Sequence, residues 1–150
     1  MTYQIIYSSE SATPMQMDDL EEILEHARSS NATNGITGAL VYVDGVFLQI
    51  LEGEIASLQK LMARIAKDVR HETVTVLKEG EVSSATFTDW TMAYLSATPE
   101  QVAKWAGLRQ TTAIPETLTG LQEDPQRVTL VAESILSALE SEPLAQSKTE

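Results

Sequence analysis

Apolar and polar positions along the chain fall into short alternating runs and wider helical stripes. Tyr3 to Tyr7 is rich in aromatic and β-branched residues and gives way to Ser8-Ser9-Glu10-Ser11 ahead of Thr13-Pro14, which predicts a strand and then a turn. From Met17 onward, Leu20, Ile23, Leu24 and Ala27 recur at helical spacing. Asp18, Asp19, Glu21, Glu22 and Glu25 lie opposite and early, where carboxylates suit the positive end of the helix dipole. That helix stops at Asn34-Gly35, and a second strand runs from Ile36 to Val43. Asp44-Gly45 between two apolar runs predicts a tight hairpin that pairs this strand, antiparallel, with Val46 to Leu51. Leu58, Leu61, Met62 and Ile65 mark a second helix closing near Asp68. Thr73 to Leu77 and Trp90 to Leu95 read as two more strands.

The order β-α-β-β-α-β-β predicts an α+β fold, a ferredoxin-like βαββαββ sandwich with two helices on one face of a five-stranded sheet. After Leu95 the pattern changes. Pro99 to Leu108 and Val128 to Leu139 are helical, Thr111 to Pro125 between them is rich in Thr, Pro and Gly, and Glu140 to Glu150 is a frayed tail. The stripe Val128, Val131, Ala132, Ile135 and Leu139 needs burial, and the sheet's open face is the obvious place for it. The expected organisation is therefore a domain over residues 1–95 and, over 96–150, a C-terminal extension of two capping helices and a tail.

Composition narrows the function. With 150 residues and 43% apolar content, the chain can build one real core. A formal charge of -12, acidic in both halves, repels phosphate backbones and anionic lipid, so neither nucleic acid nor membrane is an expected partner. The absence of cysteine excludes disulfides, thiolate metal sites and flavin-cysteinyl photochemistry. No basic segment leads into an apolar stretch, and no apolar run is long enough to span a bilayer; a soluble cytoplasmic protein is expected. Walker and dinucleotide loops, His-Glu-x-x-His and a serine nucleophile elbow are all missing, so an enzyme is not expected, nor is a metal site. His26, on the charged side of the first helix, and His71 read as surface histidines when taken alone.

The informative residues are polar ones on apolar faces. Period-two alternation in Val46-Phe47-Leu48-Gln49-Ile50-Leu51 puts Gln49 on the same face as Phe47 and Leu51. A buried primary amide needs partners, because each orphaned group costs about 1–3 kcal/mol. A backbone group could satisfy it, but Tyr7 is another candidate: it shares a face with Tyr3 and Ile5 on a strand that this topology sets beside Gln49. The first helix's apolar row, continued one turn, reaches Asn31. On the second helix Arg64 and Asp68 are four residues apart; spacing alone favours a solvated pair, although with Arg70 and His71 beyond, the flank would suit a phosphate.

These stretches together resemble the BLUF family of flavin-binding blue-light sensors over roughly residues 2–95. Ile6-Tyr7-Ser8-Ser9 is similar to the family's first strand, Asn31-Ala32-Thr33-Asn34-Gly35-Ile36-Thr37-Gly38 to its helix-to-strand segment, and Phe47-Leu48-Gln49-Ile50-Leu51-Glu52-Gly53 to its third strand. Asp68-Val69-Arg70-His71 and Phe87-Thr88-Asp89-Trp90-Thr91-Met92 follow in order, and the ending resembles short members without a fused output enzyme. Ser30 and Asn34 depart from the commoner pattern, in ways that bear on flavin affinity or recovery rate.

The resemblance implies a noncovalent flavin between the two helices, FAD in preference to FMN or riboflavin, with Asn31 on its pyrimidine edge and Gln49 facing N5 and O4. Tyr7 would bond to Gln49 and on excitation supply an electron and a proton, and Gln49 would rearrange or tautomerise, giving a small red shift. Arg64, Asp68 and His71 would lie near the ribityl and phosphate groups. Trp90 and Met92 would relay the change to the C-terminal helices, although an apolar pair on a terminal strand is also ordinary core. The expected output is altered binding to an unidentified downstream signalling protein, from a homodimer or larger homo-oligomer. The alternative is a ferredoxin-like interaction or small-ligand module without a photocycle.

Overall fold

In the computed structural model the described residues are 2–11, 16–43, 45–68, 71–83, 87, 92–107 and 120–141. They form the expected α+β sandwich. Strands β1 (Thr2–Ser11), β2 (Thr37–Val43), β3 (Val46–Gly53), β4 (His71–Val82) and β5 (Ala93–Ser96) make one sheet in the order β4-β1-β3-β2-β5. Helices α1 (Met17–Asn34) and α2 (Ile55–Lys67) provide the crossovers, and α3 (Pro99–Trp105) and α4 (Pro125–Ser141) follow β5. All pairings are antiparallel except β2 with β5. Val43 pairs with Val46, so the β2–β3 hairpin is as tight as expected, although Asp44 itself lies outside the described residues.

Alternation along the strands divides the core in two. Ile5, Tyr7, Leu40, Phe47 and Leu51 pack with Leu20 and Leu24 of α1 and Leu58 of α2. On the opposite face Ile6, Val41, Val46, Leu48 and Ile50 pack with Val102 and Ala106 and with the α4 stripe of Val128, Val131, Ile135 and Leu139. The capping role expected of the C-terminal helices is thus what the chain adopts. Polar bonds fasten the cap to β4: Lys78 Nζ donates to Thr129 Oγ1 at 2.8 Å, and Gln122 Nε2 to the Val76 carbonyl at 3.1 Å. Arg127 ties α4 back to the end of α3, donating through Nη1 to the Ala106 carbonyl at 2.7 Å and pairing with Asp124 at 3.0 Å.

Several boundaries differ from the pattern-based expectation. The polar run Ser8 to Ser11 continues β1 instead of turning, because β1 is flanked on both sides; Ser8 and Ser9 are buried in ladders to β3 and β4. Strand β4 extends past Leu77 through polar Lys78-Glu79-Gly80-Glu81, where an edge strand needs only its inward backbone groups paired. Strand β5 begins at Ala93, not Trp90, and residues 88–91 lie outside the described set. Helix α3 ends at Trp105, before Gly107 at φ 73°, and α4 starts three residues earlier than its apolar stripe, at Pro125, whose fixed φ suits a first turn. Leu121, in the segment rich in Thr, Pro and Gly, sits buried on a 3-10 turn, Leu121–Glu123.

Candidate functional site

Helix α1 runs from a cap in which the Gln16 backbone N–H donates to the Asp19 carboxylate at 3.0 Å. It ends where the Ile36 and Gly35 amides converge on the Asn31 carbonyl, with Gly35 at φ 68°, a conformation glycine adopts without a Cβ penalty. That stop fixes Asn31 on the last inward-facing turn, where its side chain is buried. The chain then enters β2 through Gly38, at which a Cβ would stand 1.9 Å from the Ile50 carbonyl oxygen; only glycine lets β2 lie this close to β3.

Strands β1 and β3 place Tyr7 directly opposite Gln49 in an antiparallel pair. The Tyr7 hydroxyl donates to Gln49 Oε1, and Gln49 Nε2 donates to the Met92 thioether at 3.4 Å. Tyr7 and Met92 are fully buried and Gln49 is 7% exposed. Burial pushes the Tyr7 phenol well above the ordinary tyrosine range, and the nearby Asp68 carboxylate pushes the same way. The phenol is therefore neutral, with its proton held toward the amide oxygen.

Between α1, α2 and this face of the sheet lies a cleft of about 720 Å³ including its open mouth. Ile23, Ala27, Leu40, Phe47, Leu61 and Ile65 form apolar walls, the buried Tyr7, Asn31 and Gln49 supply polar groups, and His26, Ser30, Arg64 and Asp68 complete the more exposed lining. Arg64 Nη2 donates to Ser30 Oγ at 3.2 Å across the gap between the helices. The structure thus brings Tyr7, Asn31, Gln49, Arg64 and Asp68 around one cleft, with Met92 touching Gln49. His71 opens β4 opposite Ser11, but its side chain, like Arg70 and Trp90, lies outside the described residues.

Sequence reasoning missed His26 and Arg28, and gave Ser30 only as a departure from the family's commoner pattern. His26 lines the cleft although it falls on the charged side of α1, because the cleft opens past the apolar stripe. Ser30 lines it too, which the Asn31 row would have revealed one residue earlier. Arg28 donates through Nε to the Met92 carbonyl at 2.8 Å, and its signal was its being the one Arg or Lys on an otherwise acidic helix.

An apolar slot between two helices and a sheet, with a few convergent polar groups, suits a flat heteroaromatic ligand. Gln49 adds a specific feature: the one acceptor its amide nitrogen meets among the described residues is a sulfur, a weak one, which leaves this donor on the cleft wall suited to a stronger acceptor on a ligand. A family model described as sensors of blue-light using FAD matches residues 2–93. The chain belongs to the BLUF family. The photoactivated adenylate cyclase subunit beta of Euglena gracilis is 35% identical over 106 residues, 70% of this chain, and the corresponding subunit of Euglena longa is 34% identical over the same length. The chain spans only 12% of either protein. Among solved structures, BlsA in its photo-activated state superposes with a TM-score of 0.74 at 26% identity, over 91% of this chain and 95% of that one. The dark state of the BLUF protein BlrB shares the fold, with a TM-score of 0.72 at 22% identity over 92% and 97% of the two chains. This BLUF chain is accordingly a flavin-based blue-light sensor. Among the described residues no helix is long and apolar enough to cross a membrane.

Proposed function

We propose that this BLUF chain senses light through the Tyr7–Gln49–Met92 series and reports it by altered binding to a separate signalling protein. The observation that carries the reading is the continuous polar contact from the Tyr7 hydroxyl through the Gln49 amide to Met92, on the wall of an apolar cleft. A bound flavin would absorb the photon and, once excited, act as a strong oxidant. The remaining steps belong to the protein. Asn31 holds the ligand's polar edge, while Leu40, Phe47 and Ile65 exclude water. Tyr7 is the residue placed to give up an electron, and its phenolic proton has a direct route to Gln49 Oε1. Gln49 takes that proton on Oε1 and releases one from Nε2 toward the cleft; once an electron and a proton have returned to Tyr7, the amide is left rotated or as its tautomer, with donor and acceptor exchanged among Tyr7, Met92 and the cleft. This rearrangement reverses thermally in the dark.

FAD is the preferred ligand, because Arg64, Ser30 and His26 at the cleft suit phosphate oxygens, with His71 expected nearby; FMN and riboflavin are the alternatives. Residues 1–95 would form the photosensory domain and 96–150 the output extension, with Trp90 and Met92 relaying the change. The chain would act as a non-enzymatic cytoplasmic sensor, as a homodimer or larger ring. Its acidic surface disfavours nucleic acid and membrane.

The test is an absorption spectrum of the purified protein in the dark, after a blue pulse and during recovery. Flavin bands that move slightly to the red and return thermally support the reading. A colourless protein that cannot be reconstituted, or a yellow one indifferent to light, favours a ferredoxin-like ligand or interaction module instead.

A further inference from the structure

Arg28 has no part in the steps above, yet its placement is unusual. Five carboxylates share α1 with it, Glu25 only three residues away, and an ordinary surface arginine would pair with one of them. Instead the side chain is half-buried, and its Nε donates to the backbone carbonyl of Met92 at 2.8 Å. Among the described residues no carboxylate pairs with it, and desolvation pulls its pKa below the ordinary guanidinium value. A charge is being kept partly out of water to hold one neutral main-chain oxygen. That oxygen is not arbitrary. Met92 stands one residue ahead of the first β2–β5 pair, Ala39 with Ala93, and its sulfur accepts from Gln49. Met92 is thus gripped from two sides, by α1 through its backbone and by β3 through its side chain. Arg28 also precedes Asn31 by three residues, so one helix carries both this tether and an amide of the cleft.

We propose that Arg28 is a positioning residue of the photoswitch, which fixes Met92 opposite the Gln49 amide and thereby sets the barrier for Gln49 to return to its dark arrangement. The proposal rests on the light-sensing reading of Gln49. With Met92 fixed, the returning amide must move against an immobile neighbour; with Met92 free, the neighbour yields and the return is faster.

The test uses the full flavin-loaded chain as wild type, Arg28→Ala, Arg28→Lys and Arg28→Gln, the last two keeping a donor if alanine impairs folding. In the dark, methyl-labelled methionine NMR reads the contact without light: the Met92 resonance moves or broadens in Arg28→Ala, less in Arg28→Lys, while that of Met62 stays. After a blue pulse, Arg28→Ala keeps the red shift but recovers about three- to tenfold faster, the span that a weakened hydrogen bond to a charged donor produces in a barrier. On a Met92→Leu background the Arg28 substitution adds no further change, as expected if it acts through Met92. An unmoved Met92 methyl, unchanged recovery, or additive effects in the double variant would overturn the proposal. A wild type that never shifts red would instead remove the light-sensing reading and the switch role with it, while the NMR comparison still decides whether the tether exists.

Discussion

Tyr7 and Gln49 meet because a β-ladder sets them opposite one another, and the chemistry proposed for them depends on a single hydroxyl. Tyr7→Phe should leave the protein yellow and abolish the red shift, because it deletes the proton and the easily oxidised phenol while keeping the ring that fills the core. A normal red shift in that variant would sink the assignment. Gln49→Leu should likewise bind flavin without a photocycle. The phenylalanine variant also strands the Gln49 carbonyl oxygen, which predicts a stability loss of about 1–3 kcal/mol in urea unfolding. For Arg64 the readout is affinity: Arg64→Ala should weaken FMN by roughly tenfold and riboflavin hardly at all, since only the phosphate-bearing ligand uses the guanidinium. Equal losses by isothermal titration would place Arg64 elsewhere in the mechanism. Of these residues, Gln49, Tyr7 and Asn31 were legible from the sequence, because a polar group on an apolar face calls for a partner. Arg28 and His26 were not, since their roles come from where the cleft opens and where Met92 ends up, which no helical period encodes.

At the scale of elements, the two halves of the sandwich have separate tasks: α1 and α2 build a cleft on one face, and α3 and α4 seal the other. Each fully buried aliphatic of the α4 stripe contributes about 1.5–3 kcal/mol, so the seal is a substantial part of the protein's stability. Truncation after Leu95 should therefore expose the apolar face and give aggregation or an altered oligomer by light scattering; an unchanged, monodisperse product would argue against this. Helices and their faces were readable because amphipathic periodicity is strong over ten or more residues. Strand ends were not. Whether Ser8 to Ser11 continues a strand depends on neighbours that arrive from distant sequence, and polar Lys78 to Glu81 pairs only because β1 offers a free edge.

For the whole molecule, the consequences are electrostatic and topological. The folded state keeps Tyr7 protonated well past the ordinary value of 10.0, and the Glu79 contact raises Tyr3 as well. Above that value the unfolded chain releases these protons and the folded chain retains them. Their contribution to stability is complete below pH 10.0 and is lost as pH rises toward the folded values. Urea midpoints should decline above that pH, and less steeply in Tyr7→Phe; identical slopes would mean Tyr7 ionises freely. The arrangement of strands also says what length changes the molecule can survive. Strand β4 already carries irregularities opposite Ile6/Tyr7 and Ser8/Glu10, whereas β1 and β3 run in unbroken register from Tyr3 to Glu10. An inserted or deleted residue in β4 can be absorbed as one more bulge at an edge, but a single deletion between Tyr3 and Tyr7 would rotate the tyrosine to the capped face and leave Ser8 against the amide. Evolution and protein engineers alike can therefore lengthen the outer strand, while the central pair can change only by substitution.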